Sequence, residues 1–471
     1  MRKQDIFLLD SVKKQKALFE PQIDGKVTIY VCGPTVYDDA HLGHARSAIV
    51  FDLLHRVFKV NGYDVTLAKN FTDVDDKILR KMEETGKSLD EITSYYIDSY
   101  KKDMDALNIL PNTLEPYATH NIEAMTDMVS KLLAKDSAYI LDDDGVYLDT
   151  SKDSSYGNIS HRASDENSQA RVESNLKKRD QKDFALWKFC SEDEVGFETA
   201  FGYGRPGWHL ECSAMIDKHL TNPELPYAID IHGGGADLLF PHHENEACQT
   251  RCCTDQELAK YWLHNGFVNI NGQKMSKSLG NSFFLKDALK SYDGEVIRFY
   301  MMSTHYRADL SFNEEDLLAS KKRLDKLYRV KKRLYGGGAS KANIEFTKNL
   351  FNALNDDMNT SSALATIDEY LAGVNESLDV NPKDKGLKKE TVATINLISD
   401  ILGVGLKDPF EYFQFGISEE EKNSINELIE QRTNAKKEKN FELSDSIREE
   451  LTNRGISIMD TANGTLWEKL N

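Results

Sequence analysis

Residues 26–69 read KVTIYVCGPTVYDDAHLGHARSAIVFDLLHRVFKVNGYDVTLAK, and this stretch decides the fold. Val27 to Val31 is a short apolar run rich in β-branched residues, the pattern of a buried strand. It meets the turn signal Cys32-Gly33-Pro34, and a helical stretch follows from about Leu42 to Lys59. Asn61-Gly62 ends that helix, and Tyr63 to Ala68 reads as the next strand. A strand, a helix and a second strand in this order require a crossover, so the two strands run parallel in an α/β sheet. Ligands bind such sheets at the carboxyl ends of the strands, which is where Cys32 and the loop after it fall.

Outward from this unit, residues 110–205 lose periodicity and carry turn signals at Asp142 to Gly145 and Ser151 to Gly157, as expected of an insertion. The α/β pattern resumes at Tyr227 to Ile231, passes through a glycine-rich turn and enters a helix near His243. Trp262 to Ile270 and a turn at Asn271-Gly272 lead into the loop that carries Lys274 to Ser278. Beyond residue 312 the pattern becomes helical, with a breaker at Gly336 to Gly338 and helices expected at 344–356, 361–377 and 388–402. Gly403 to Pro409 reads as a linker, then come helices from 418 and from Phe441 to Arg454, and a strand-like end from Gly455 to Trp467.

Composition excludes several classes. A chain of 471 residues with 40% hydrophobic and 29% charged residues is an ordinary globular balance with room for several domains. No run approaches a membrane span, and the apolar run Ile6 to Leu9 is too short for a signal peptide, so a cytoplasmic location is expected. The six cysteines form no CxxC pair and lack the density of a disulfide scaffold. A net charge of −18 weakly opposes a nucleic-acid partner, but a local basic face suffices for one, and Lys321 to Arg333 and Arg432 to Lys439 are the candidates.

Three constellations carry chemistry. His41-Leu42-Gly43-His44 opens the first helix, where free N–H groups and the helix dipole favour phosphate, and Gly43 allows close approach. Lys274-Met275-Ser276-Lys277-Ser278 suits a loop that clamps migrating phosphate charge. No GxxxxGK[ST] run competes for the nucleotide. The third set is Cys32, Cys212, His242 and Glu246, two thiols, an imidazole and a carboxylate that suit zinc. His242 and Glu246 share a helix face by spacing, whereas spacing alone cannot bring all four together. The run His232-Gly233-Gly234-Gly235 has an esterase-like alternative, but no GxSxG exists, and Ala247 stands where an HExxH protease needs histidine.

In this order the first two motifs resemble the HIGH and KMSKS signatures of class I aminoacyl-tRNA synthetases. Tyr30 to Asp38, Gly207 to Met215 and His232 to Glu246 are similar to the blocks of the cysteinyl-tRNA synthetase family, and the likeness runs to Trp467. The resemblance implies a Rossmann-like parallel-sheet catalytic domain over 1–312, with the insertion at about 110–205 and the signature loop at 274–278. It further implies a helical bundle over 313–402 and a small C-terminal anticodon-binding domain over 410–471. By the same likeness the chain joins L-cysteine to tRNA(Cys) as a monomer, with ATP-Mg²⁺ as co-substrate. One Zn²⁺ on Cys32, Cys212, His242 and Glu246 would take the substrate sulfur. His41, His44, Lys274 and Lys277 are the implied catalytic groups, and Gly234 and Asp237 are expected at the ribose. Thr72, Trp208 and His232 are expected around the amino acid, and Arg432, Asp445, Arg448, Asp460 and Trp467 at the tRNA. A related ligase that joins cysteine to an amino sugar would lack the C-terminal module. The insertion is too small to imply an editing domain.

Overall fold

The computed structural model describes residues 4–161, 177–270, 273–274, 283–461 and 464–470. Its centre is a four-stranded parallel sheet built from β1 (Lys26–Val31), β2 (Asp64–Lys69), β3 (Tyr227–Gly235) and β4 (Glu257–Asn265), in the order β4-β3-β1-β2. β1 and β2 pair from Lys26 opposite Asp64 to Val31 opposite Lys69, joined over the sheet by helix α1 (Leu42–Val60). Helix α2 (Trp208–His219) precedes β3, and helix α3 (Glu244–Thr254) joins β3 to β4. Both flanks of the central strands are covered, so Ile29, Tyr30, Val31, Ile229 and Ile231 are all essentially inaccessible to water.

One expectation needs correction. The glycine run after Ile231 is strand, not turn: His232 to Gly235 pair with Trp262 to Asn265 as the end of β3. The reason is packing, because a Cβ on Gly233 would lie 2.2 Å from the Phe51 ring of α1. Glycine there lets helix and sheet approach.

The insertion forms its own antiparallel sheet from Ala138–Leu141, Gly145–Leu148, Phe184–Phe189 and Gly204–Pro206. Trp187, Leu186 and Val146 of this sheet pack with Met125, Val129 and Leu132 of the helix Ile122–Ala134. A hairpin, Phe7–Asp10 with Gln15–Leu18, escaped the sequence reading because each strand has only four residues.

The chain divides into two compact units, one of Met1–Lys286, Met301–Asn313 and Leu350–Ala363, the other of the remainder. The second unit is mostly helical, with Glu314–Arg333, Thr360–Val380 and Lys385–Leu402 as its long elements. Within it the buried Glu295 carboxylate accepts from Tyr328 Oη at 2.7 Å and from the Gly405 and Leu406 amides at 2.6 and 3.1 Å. Its C-terminal part is a helix pair, Glu419–Lys437 and Phe441–Asn453, with a hairpin, Ile456–Thr461 and Gly464–Lys469.

Gly33 sits where β1 ends against the Asn70 backbone, and a Cβ there would lie 1.5 Å from the Asn70 carbonyl oxygen. Gly33→Ala must therefore part the carboxyl ends of β1 and β2, at a cost of about 3 kcal/mol or more. Thermal unfolding checks this, and a Tm within about a degree of the parent's contradicts it.

Candidate active site and metal centre

Four elements converge at the carboxyl ends of the sheet. Cys32 follows β1, Cys212 lies in the second turn of α2, His242 in the tight turn before α3, and Glu246 in the first turn of α3. The Sγ atoms of Cys32 and Cys212 are 3.7 Å apart, and Cys32 Sγ is 3.5 Å from Glu246 Oε1. His242 Nε2 lies 3.7 Å from Cys212 Sγ and 2.7 Å from Glu246 Oε1. The donor atoms of all four residues fall within 4.8 Å of one another. Two sulfurs on one tetrahedral zinc at ~2.3 Å stand about 3.8 Å apart, so the spacing of the two thiols fits that metal. The donor atoms of a second set, Cys32, His232, His243 and Glu246, also lie within 4.8 Å of one another, but that set offers only one sulfur.

Surrounding groups orient these donors. His242 Nδ1 lies 2.9 Å from His209 Nδ1, leaving Nε2 toward Cys212 and Glu246. Glu246 Oε2 contacts His232 Nε2 at 2.6 Å, so the carboxylate keeps Oε1 for the cluster. The Trp208 ring, 37% exposed, stacks on His242 with centroids 4.1 Å apart. Asn70 Oδ1 accepts from the Gly33 amide at 2.7 Å and lies 3.9 Å from Cys212 Sγ. Partner contacts of this kind fix ligand tautomers and orientation.

The electrostatics follow from burial. Desolvation raises the Cys32 thiol well above its usual range, and Cys212 and Glu246 add to the rise. For Cys212 burial also opposes ionisation, but the hydrogen bond from Cys32 and the contact with His242 outweigh it and bring the thiol down to about 6. Burial disfavours the His242 cation, yet Glu246 and Cys212 lift it to about 10. Glu246 is desolvated too, and His242 and His232 hold it well below the carboxylate range. Burial lowers His209 and His243 well below the usual imidazole range.

Of the residues expected around the amino acid, Thr72 is buried and donates to Glu211 Oε2 at 2.6 Å. His232 is fully buried, and its two ring nitrogens face Glu246 at 2.6 Å and the Tyr30 carbonyl at 3.2 Å. At the start of α1, His41 caps the helix by accepting from the Gly43 amide at 3.1 Å, and His44 Nδ1 accepts from the His41 amide at 3.2 Å. Their rings stack with centroids 3.8 Å apart. Gly234 lies within β3, and Asp237 is exposed just beyond its end. Lys274 ends the short strand Gln273–Lys274, whereas Lys277 lies outside the described residues. The chain returns at Phe283 to Leu285, where Leu42 donates to the Phe283 carbonyl and Leu285 to the Ala40 carbonyl.

In the C-terminal part, Asp445 and Arg448 are exposed on the helix Phe441–Asn453. Arg432 is only 2% exposed and grips both oxygens of Asp460, at 2.8 and 3.0 Å. Trp467 packs with Ile425, Leu451 and Ile456, and its Nε1 donates to Asn426. The basic run Lys321 to Arg333 is largely engaged internally, with Lys321, Arg323, Lys332 and Arg333 paired to Asp325, Asp368, Glu468 and Asp379.

Residues 18–322 match the tRNA synthetases class I (C) catalytic domain, and residues 351–407 match the DALR domain. The cysteine–tRNA ligase of Aliarcobacter butzleri is 65% identical over 465 residues, covering 99% of each chain. The chain belongs to the class I cysteinyl-tRNA synthetase family. The cysteine–tRNA ligase of Helicobacter pylori (strain P12), 55% identical over 469 residues, covers 99% of this chain and all of its own. The methionyl-tRNA synthetase of Mycobacterium tuberculosis with methionyl-adenylate aligns with a TM-score of 0.60 at 14% identity, over 80% of this chain and 92% of its own. That likeness speaks to fold alone. Within a cysteinyl-tRNA synthetase framework, His209, His243, Asn70 and Tyr30 are the groups that sequence reasoning missed around the cluster. His209 and His243 adjoin motif residues, and that adjacency is the signal that would have found them.

The hydrogen bond from Arg432, joined by Lys436 and Thr465, holds the Asp460 carboxyl far below its usual range. A depressed folded pKa contributes stability above the unfolded value near about 4 and loses it as pH falls below. Asp460→Asn should therefore lower Tm by an amount constant from neutral pH to mildly acidic pH, shrinking only below about pH 4. Scanning calorimetry across pH checks this, and a difference already gone at pH 5 contradicts it.

Proposed function

We propose that this chain activates L-cysteine with ATP-Mg²⁺ to cysteinyl-adenylate and transfers the cysteinyl group to the 3′ end of tRNA(Cys). In this reading zinc on Cys32, Cys212, His242 and Glu246 selects the thiol substrate. The convergence of those four donors beside the capped start of α1 carries the reading. Two sulfur donors favour a thiophilic metal over magnesium or calcium, which take oxygen. A zinc ion held there stabilises the thiolate form of the bound cysteine. A steric pocket separates near-isosteres by only about 10–200-fold, so binding to the substrate's sulfur explains how serine is refused without editing.

The protein's own groups position and stabilise charge. Trp208 walls the cysteine side chain while its ring holds His242 in place, and Thr72, fixed by Glu211, faces the amino-acid end. His232 serves as a positioning residue for Glu246. The cysteine carboxylate attacks the α-phosphate, a bond forms between carboxylate oxygen and phosphorus, and pyrophosphate leaves. His41, His44 and the positive end of the α1 dipole receive the triphosphate, Gly234 and Asp237 the ribose, and Lys274 and Lys277 the charge developing on the leaving group. The ribose hydroxyl of the tRNA end, the 2′-OH in class I, then attacks the adenylate carbonyl and AMP leaves.

For the tRNA, the exposed Asp445 and Arg448 supply contacts, while Arg432, Asp460 and Trp467 hold the shape of the module that presents them. The proposal extends to a cytoplasmic monomer with segments 1–312, 313–402 and 410–471 as its catalytic, bundle and anticodon-binding parts. Among the described residues no helix is long and apolar enough to cross a membrane.

Cys212→Ser should lower bound zinc, read by elemental analysis, and weaken cysteine binding by at least about tenfold; unchanged metal content contradicts the assignment. Lys277→Ala should slow cysteine-dependent pyrophosphate exchange by about 100-fold or more while cysteine binding stays near the parent's. Exchange within a few-fold of the parent removes that role.

A further inference from the structure

Away from the metal cluster, one flank of α1 borders a cavity of about 290 Å³, closed by β2, the helix Leu89–Ala106 and the segment 109–112. None of Cys32, Cys212, His242, Glu246, His41 or His44 lines it. Its walls include the apolar Phe51, Leu67, Met104 and Ile109, and three polar side chains are buried in it, Lys69, His55 and Asp52, only 9%, 7% and 4% exposed.

The charge inside is unbalanced. Lys69 Nζ donates to Tyr100 Oη at 2.6 Å and sits 5.3 Å from that ring's centroid. An ammonium has three donors, and among the described residues no carboxylate pairs with this one. Of the three carboxylates that line the cleft, Asp105 is exposed to solvent and the other two are committed elsewhere. Asp52 accepts from Arg56 Nε and the Leu110 amide, each at 2.8 Å. Glu115 is held by Lys101 at 2.8 Å and by Asn112 Nδ2 at 3.0 Å. The His55 ring has no hydrogen-bond partner among the described residues. A buried cation without a counter-charge is costly, and an anion seated beside it removes that cost.

We propose that this cleft is a second ligand site, which takes a small amphipathic carboxylate with its anionic end on Lys69 Nζ and His55 and its apolar body against Phe51, Leu67 and Met104. The volume stands at the low end of the about 300–1,000 Å³ usual for ligand pockets, which suits a short-chain acid rather than a nucleotide. Lys69, the one buried ammonium of the lining, matches one carboxylate on a hydrocarbon, where phosphate groups call for guanidinium forks or amide nests.

The test titrates the full chain with hexanoate, hexan-1-ol and hexylamine by calorimetry, with and without saturating cysteine. Hexanoate should bind at least about tenfold more tightly than either control, and Lys69→Met should abolish that preference. Cysteine should leave hexanoate binding unchanged, since the active site lies elsewhere. If Lys69→Met does not fold, His55→Gln should weaken hexanoate several-fold, and a crystal structure with hexanoate should show its carboxylate on Lys69. Absence of hexanoate binding, equal binding of the alcohol, indifference to these substitutions, or displacement by cysteine each overturns the proposal.

Discussion

The Glu246 carboxylate has no exposure to water and stands between His242 and His232, at 2.7 and 2.6 Å. A buried charge of this kind persists only when partners compensate it. Compensation in this cluster is shared among four donors that arrive from four separate elements, so the chemistry there depends on the whole sheet being correctly assembled. His209, His243 and His264 continue the network outward, ending at Ser11 Oγ, 2.5 Å from His264 Nδ1. The cluster is therefore held from several sides.

The sheet explains why the donors meet. β1 delivers Cys32 at its carboxyl end, β3 delivers His232 beside it, and α2 and α3 flank the same edge. Glycines make the approach possible: Gly33 against Asn70 and Gly233 against Phe51 leave no room for a side chain. The nucleotide half of the site uses the same geometry, since α1 begins at Leu42, in the connection that leaves the end of β1 at Val31. Its capping histidines and the returning segment at Phe283 to Leu285 meet there.

The strands, helices and crossover of the central unit were legible because buried parallel strands and an amphipathic helix write distinct periods into the sequence. Observed bounds, Leu42–Val60 for the helix and Asp64–Lys69 for the strand, shift by only a residue or so from the reading. The glycine run was misread because composition signals a turn there, whereas Phe51, distant in sequence, fills the space a turn would need. The four donors were nameable only through family likeness, since their separation along the chain carries no spacing signal. His264 was illegible for the same reason, its role arising from a contact across 21 residues to His243. The basic run at 321–333 shows the converse: in a patch conspicuous in sequence, Lys321, Arg323, Lys332 and Arg333 are paired with acids of their own unit.

The most direct measurement is X-ray absorption at the zinc edge on the purified protein, before and after adding cysteine. The account predicts two sulfur and two light-atom neighbours in the free protein, and one further sulfur when cysteine binds, with no such gain from serine. A spectrum without sulfur neighbours, or one that cysteine leaves unchanged, would contradict it.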